Sequence, residues 1–141
     1  MVERITIALL SFYLGYSLFF TLVVAPAIFK TLGPQMGGQV VETIFPYYFA
    51  ASVSFLGLST LLLLKQNLRK WALVLLIATL MAAFQEFYLL PKALELKVNS
   101  PEEFKFWHKI SVLLNLAEIA ISAFVLGALL FKGEKEEEKN L

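Results

Sequence analysis

Apolar residues run along this chain in four long blocks: Ile5 to Phe29, Ile44 to Leu64, Trp71 to Leu90, and Ile110 to Phe131. Each approaches the length a helix needs to cross the hydrocarbon core of a bilayer. Gly, Pro and charged residues punctuate the segments between them. The pattern predicts an all-α integral membrane protein, a four-transmembrane-helix bundle over residues 1–131 with a charged tail at 132–141. The last helix is predicted to start near residue 100. Ser100-Pro101-Glu102-Glu103 offers a Ser able to accept from a first-turn amide, a Pro suited to the first helical position, and a Glu three residues after the cap. Within that helix His108, Ser111, Asn115, Glu118 and Ser122 recur at steps of three, four, three and four, which is one helical face. Lipid cannot satisfy such a stripe, so it is expected to face other helices or trapped water.

The punctuation sets the expected connections. Pro26 should bend or end the first helix near the membrane boundary, and Pro91 should close the third. Gly33-Pro34 and Gly37-Gly38 predict a loop or a broken interfacial helix over 30–43. Pro46 falls in the first turn of the second span, with Tyr47 and Tyr48 beside it where an aromatic belt would lie. Ser52 and Ser59 share a face of that span and are expected to bond back to their own backbone. Lys65-Gln66-Asn67-Leu68-Arg69-Lys70 is a short turn that makes its flanking helices antiparallel neighbours. Residues 91–99 form an amphipathic connector, and the charged tail is expected to fray. Pro26 and Pro91 each have an Ala soon after them, but no further correspondence between the two halves emerges from the sequence.

Composition agrees with the pattern. Of 141 residues, 59% are hydrophobic and 16% charged, with a mean hydropathy of +0.74. Soluble domains carry more charge and less apolar content. A formal net charge of +1 gives no reason to invoke nucleic acid, and without cysteine disulfides and thiolate chemistry are excluded. The first apolar block is too long for the core of a signal peptide, so it reads as a retained helix. With four spans, Arg4, Lys65, Arg69, Lys70, Lys132, Lys135 and Lys139 share one side, against Lys30, Lys92, Lys97, Lys105 and Lys109 on the other. The positive-inside rule then puts both termini in the cytoplasm, with the plasma (inner) membrane as the location.

Two carboxylates, Glu86 and Glu118, fall inside apolar blocks, where a charge costs about 2.5–3.5 kcal/mol even on lenient scales. Counting along ideal helices sets Glu86 level with Asn115 and Glu118 one turn deeper. With Gln85, Ser111 and His108 they would form a polar column from the non-cytoplasmic surface to mid-membrane. Three readings stay open: a pathway for protons or small cations, a metal site using His108 with one or both carboxylates, and interhelical hydrogen bonding that only holds the bundle together. His108, next to Trp107 at the membrane edge, also suits an interfacial anchor. Haem would need axial ligands that Met36, Met81 and one His supply poorly, so no cofactor is expected. No phosphate loop or paired nucleophile and base appears, and no enzyme is predicted. The lipid bilayer is the expected partner, and the small residues Gly15, Ser17 and Thr21 of the first span suit packing in a homo-oligomer.

Ala25-Pro26-Ala27-Ile28-Phe29, Thr31-Leu32, Gly37-Gly38, Phe45-Pro46-Tyr47-Tyr48-Phe49, His108-Lys109-Ile110-Ser111 and Asn115-Leu116 together resemble the bacterial branch of the transmembrane protein 205-like family. These are small four-helix membrane proteins of unassigned function, distantly similar to the copper-resistance D-like membrane proteins. The resemblance implies a four-span bundle and a special place for Pro26, Pro46, His108, Ser111 and Asn115. Some copper-resistance D-like proteins hold copper or haem with several histidines, whereas this chain has one.

Overall fold

A computed structural model describes residues 1–141 and is helical almost throughout. The elements are α1 (Val2–Phe19), a π-turn (Phe20–Val24), α2 (Ala25–Lys65), α3 (Arg69–Phe84), a second π-turn (Gln85–Leu89), α4 (Leu90–Asn99) and α5 (Pro101–Lys139). Three continuous helical stretches, Val2–Lys65, Arg69–Asn99 and Pro101–Lys139, are long and apolar enough to cross a membrane. The first of them folds back on itself at Gly33, whose φ of 76° and ψ of 171° lie in a region open essentially to glycine alone. Beyond that break the chain returns along α1. Tyr16 meets Ser52, Phe20 meets Tyr48, and Phe29 lies so close to Gly37 that a Cβ there would sit 2.9 Å from its ring.

Pro91 does not close its helix, and Pro26, expected to bend or end its own, does not end it. Each is preceded by a π-turn: the Ala25 amide reaches back to the Phe20 carbonyl and the Leu90 amide to the Gln85 carbonyl. A proline lacks an amide and its ring crowds the carbonyl four residues back. The one-residue excess of a π-turn, set just before the ring, opens the ladder there and lets the helix continue. Pro26 and Pro91 each follow the end of their π-turn by two residues, and the helices actually stop at Gly33-Pro34 and Ser100-Pro101. The two halves of the molecule therefore share a layout that the residues alone did not display.

Other local expectations also change. Residues 34–65 are one helix, so Pro46 lies in its interior rather than in its first turn. The Ser100 side chain makes no capping bond; its carbonyl accepts from the Phe104 amide at 3.0 Å. The tail does not fray at Phe131, because α5 runs on to Lys139. Lys and Glu are good helix formers, and Lys132 pairs with Glu136 one turn on at 3.5 Å. Ser52 bonds back to the Tyr48 carbonyl at 2.9 Å, whereas the Ser59 hydroxyl is buried without a partner.

In cross-section α1 packs on α2 and α5, and α3 also packs on α2 and α5, closing a ring, with α4 laid against α5. The N-terminus, the turn at 66–68 and the tail lie at one end. Gln66 donates to Thr6 at 3.2 Å, and Trp71 shares a groove with Lys132 and Lys139. Gly33 and α4 lie at the other end.

Polarity is distributed in the reverse of a soluble protein. Phe12, Phe19, Leu22, Leu61, Leu73, Ile77, Leu80, Leu113 and Phe124 are exposed, while Thr6, Ser17, Ser52, Ser59, Gln85, Glu118 and Ser122 are 0% exposed. An outer surface of this kind is solvated by lipid tails, and the polar groups inside must find partners among themselves.

Candidate functional site

From Ser111 to Ser122 the polar stripe of α5 faces the interior, and both π-turns grip it. Side chains on a helix lean towards its N-terminus, so Glu118 reaches back towards Ser111, two turns earlier. Gln85, the first residue of the second π-turn, joins them. The Ser111 hydroxyl donates to Gln85 Oε1 at 2.5 Å, and Gln85 Nε2 donates to Glu118 Oε1 at 2.5 Å. Gln85 and Glu118 are fully buried. Tyr13 of α1 lies beside Glu118, with Ser17 beside Tyr13. Glu118 Oε2, the Tyr13 hydroxyl, Ser17 Oγ and Ser122 Oγ are all buried without a hydrogen-bond partner. A group of this kind, unsatisfied on several sides at once, is uncommon in helical interiors.

Asn115 takes the other direction. It accepts from the Tyr48 hydroxyl at 2.9 Å and donates to Thr21, in the first π-turn, at 3.2 Å. Tyr48 meets Tyr16 edge to face, and the Tyr16 hydroxyl meets Ser52 at 2.9 Å. This second network ties α1, α2 and α5 together, and every polar side-chain atom of Asn115 has a partner.

A cavity of about 210 Å³ opens at the Gly33 end between α2, α4 and α5. Phe29, Phe45, Phe49, Phe104 and Trp107 line its walls, Glu42, Lys97 and His108 its outer part, and Gln85 and Ser111 its inner part. Glu42 and Lys97 form an ion pair that joins α2 to α4. Glu118 is not in the lining; it lies behind Gln85. The cavity thus reaches the first two members of the Ser111–Gln85–Glu118 chain and stops. Towards the opposite end Leu10, Leu56, Leu63, Leu75, Val125 and Leu129, all 0% exposed, pack into an apolar plug.

Of the six residues singled out as a pathway, Gln85, Ser111 and Glu118 come together. Asn115 joins a separate network. Glu86 does not meet Glu118 or Asn115: it follows Gln85 in the π-turn, points roughly 100° away from it, is half-buried, and leaves Oε2 without a partner. Depth is not what separates them, since Gln85 bonds both Ser111 and Glu118; direction is, because Gln85 and not Glu86 continues the buried face of Leu75, Ala78 and Ala82. His108 is exposed, stacks on Phe104 with ring centroids 5.8 Å apart, and borders the cavity. Ten residues separate it from Glu118, about 15 Å along the helix axis, so the two cannot ligate one ion together. No three side chains among His, Cys, Asp and Glu converge anywhere in the structure.

Tyr13 is the residue that the sequence reading missed. Its signal was present, since Thr6, Tyr13 and Ser17 recur at helical spacing and form a second polar stripe opposite that of α5.

A protein of Aquifex aeolicus (strain VF5) described as "Uncharacterized protein" is 38% identical over 133 residues, covering 94% of this chain and 99% of its own length. No solved structure matches. Residues 8–102 match a family described as "Domain of unknown function (DUF4149)", and the chain belongs to that family.

Proposed function

We propose that this protein is a four-span membrane protein that takes up protons or small cations at Glu118 from the Gly33 end, in a channel- or transporter-like role and not as an enzyme. The observation that carries the reading is the chain Ser111–Gln85–Glu118, which joins a cavity to a fully buried carboxyl group that keeps one oxygen unpartnered. An acid in an apolar interior costs several kcal/mol, and membrane proteins retain one where it exchanges a proton or holds a cation. Gln85 does not relay protons, because an amide would have to pass through an unfavourable imidic acid. It acts instead as a gate, and rotation of its side chain exposes Glu118 to the cavity. Passage to the far end requires the leucine plug to part.

The finer assignments rest on the same reading. The spans are Val2 to Leu32, Pro34 to Lys65, Arg69 to Asn99, and the apolar part of α5. Seven basic residues at the end that holds both termini favour a cytoplasmic location for that end and insertion in the inner membrane. The resemblance to transmembrane protein 205-like proteins implies the same four-span layout, and a homo-oligomer would enclose part of the exposed apolar surface.

Proteoliposomes with an internal pH-sensitive dye test the proposal. Wild-type protein should dissipate an imposed pH or cation gradient and Glu118→Gln should not; absence of flux in the wild type, or equal flux in the variant, overturns it. A second reading is a membrane assembly subunit, favoured by the fully satisfied Asn115 network. It requires Glu118→Gln to leave every measurable property except stability unchanged.

A further inference from the structure

The end of the bundle away from the cavity carries a groove of a different chemistry. It lies between the start of α3 and the end of α5, and its lining includes Trp71, Phe131, Lys132, Lys135, Glu136 and Lys139. The tail sequence Lys132-Gly133-Glu134-Lys135-Glu136-Glu137-Glu138-Lys139 is nearly balanced in charge, but folding it into a helix separates the signs. Lys132, Lys135 and Lys139 stand at i, i+3 and i+7 on the groove face, while Glu134, Glu137 and Glu138 are absent from the lining. Glu136 is the one acid in the groove, and it is paired to Lys132 at 3.5 Å. Trp71 forms the opposite wall, and Lys70, outside the lining, lies over its ring at 5.0 Å. A half-buried Trp, with apolar residues on one side and lysines on the other, marks the level at which lipid headgroups lie.

We infer that this groove binds the headgroup of an anionic phospholipid, with the phosphate among Lys132, Lys135 and Lys139 and the acyl chains running down past Trp71 and Phe131. Lysine ammonium groups attract phosphate as point charges, and basic pockets at the membrane boundary between helices recognise anionic lipids on this basis. The Glu136–Lys132 pair is exposed and long, so a phosphate displaces it at little cost. The helical extension of α5 beyond the bilayer has a purpose on this account: it holds three lysines at the spacing of one face, which a frayed tail would not. The inference does not depend on what Glu118 does.

The experiment uses the full chain in nanodiscs of phosphatidylcholine with and without phosphatidylglycerol, followed by release into detergent and native mass spectrometry of the lipids that stay bound. Wild-type protein should retain phosphatidylglycerol in several-fold preference to phosphatidylcholine. Lys132→Gln, Lys135→Gln and Lys139→Gln should each weaken retention about fivefold, and the corresponding triple Lys→Arg variant should keep it, which separates loss of charge from loss of fold. Neutralising Lys30, Lys105 and Lys109 at the opposite end should have no effect. Equal retention of the two lipids by the wild type, or undiminished phosphatidylglycerol retention by the triple Gln variant, overturns the inference. So does displacement of the lipid by free inorganic phosphate at matched concentration, since the groove would then be a site for soluble anions.

Discussion

Asn115 and Glu118 lie three residues apart on the same helix, both inside a bundle whose outer surface is apolar, yet their surroundings are built on opposite rules. Asn115 is closed: its amide oxygen and nitrogen each have a partner, on two different elements. Glu118 is open: one oxygen is held by Gln85, the other has no partner, and three further hydroxyls nearby are unsatisfied. A closed network fixes helices in place and leaves nothing over for chemistry. An open one sacrifices stability and keeps capacity for another group. Under the proposed function the contrast gives Asn115 the structural role and Glu118 the exchange role, and it can be broken by substitution.

The largest effect is expected on flux. Glu118→Gln keeps the hydrogen bond to Gln85 and removes the ionisable group, so proteoliposome flux should fall to background, by about a hundredfold or more if the loss matches that of a positioned proton-transfer group in catalysis. Asn115→Leu should do the reverse. It strands the Tyr48 hydroxyl and Thr21 in an apolar interior and should cost about 1–2 kcal/mol by unfolding in detergent, with flux per folded protein retained. Equal loss of flux in the two variants would erase the distinction between the networks. Gln85→Ala sharpens the gate: it opens Glu118 to the cavity, and flux should rise by about two- to threefold, corresponding to well under 1 kcal/mol. A fall instead would make Gln85 part of the path. Glu86→Gln should change flux and stability least, within about 0.5 kcal/mol, because Glu86 joins neither network.

What the residues disclosed in advance follows from the physics each feature obeys. The apolar blocks and their lengths made an all-helical membrane-type protein legible, since burial in lipid imposes composition directly. The interior orientation of the α5 stripe was legible for the same reason. The partner of Glu118 was not. Choosing between Gln85 and Glu86 depends on which face of α3 is inward: Leu75, Ala78, Ala82 and Gln85 share the buried face, but the run around them is apolar on every side and does not mark it. The π-turns leave no mark in the apolar pattern either. Proline was the available clue, but a proline in sequence is compatible with an end, a kink or a bulge. The helical tail was misjudged for another reason: alternating Lys and Glu signals solvation, and the same residues support a helix once a long one is already under way.

The two π-turns have a consequence best put in terms of phase. A regular helix is a wave of period 3.6 residues, and each of these turns inserts a slip of about one residue, or roughly 100°. The face that α1 presents before Phe20 is therefore out of step with the face presented after Val24, and the same holds on either side of Gln85–Leu89. Deleting one residue within either turn would let the ladder close as a regular helix with the residues beyond it keeping nearly their present directions, whereas a deletion in a regular stretch would turn every later side chain by about 100°. The chain thus absorbs a change of length most easily at two short addresses, each ending two residues ahead of a proline, and at the second of them the slip comes after Gln85, which leaves that amide in phase with the buried face of α3.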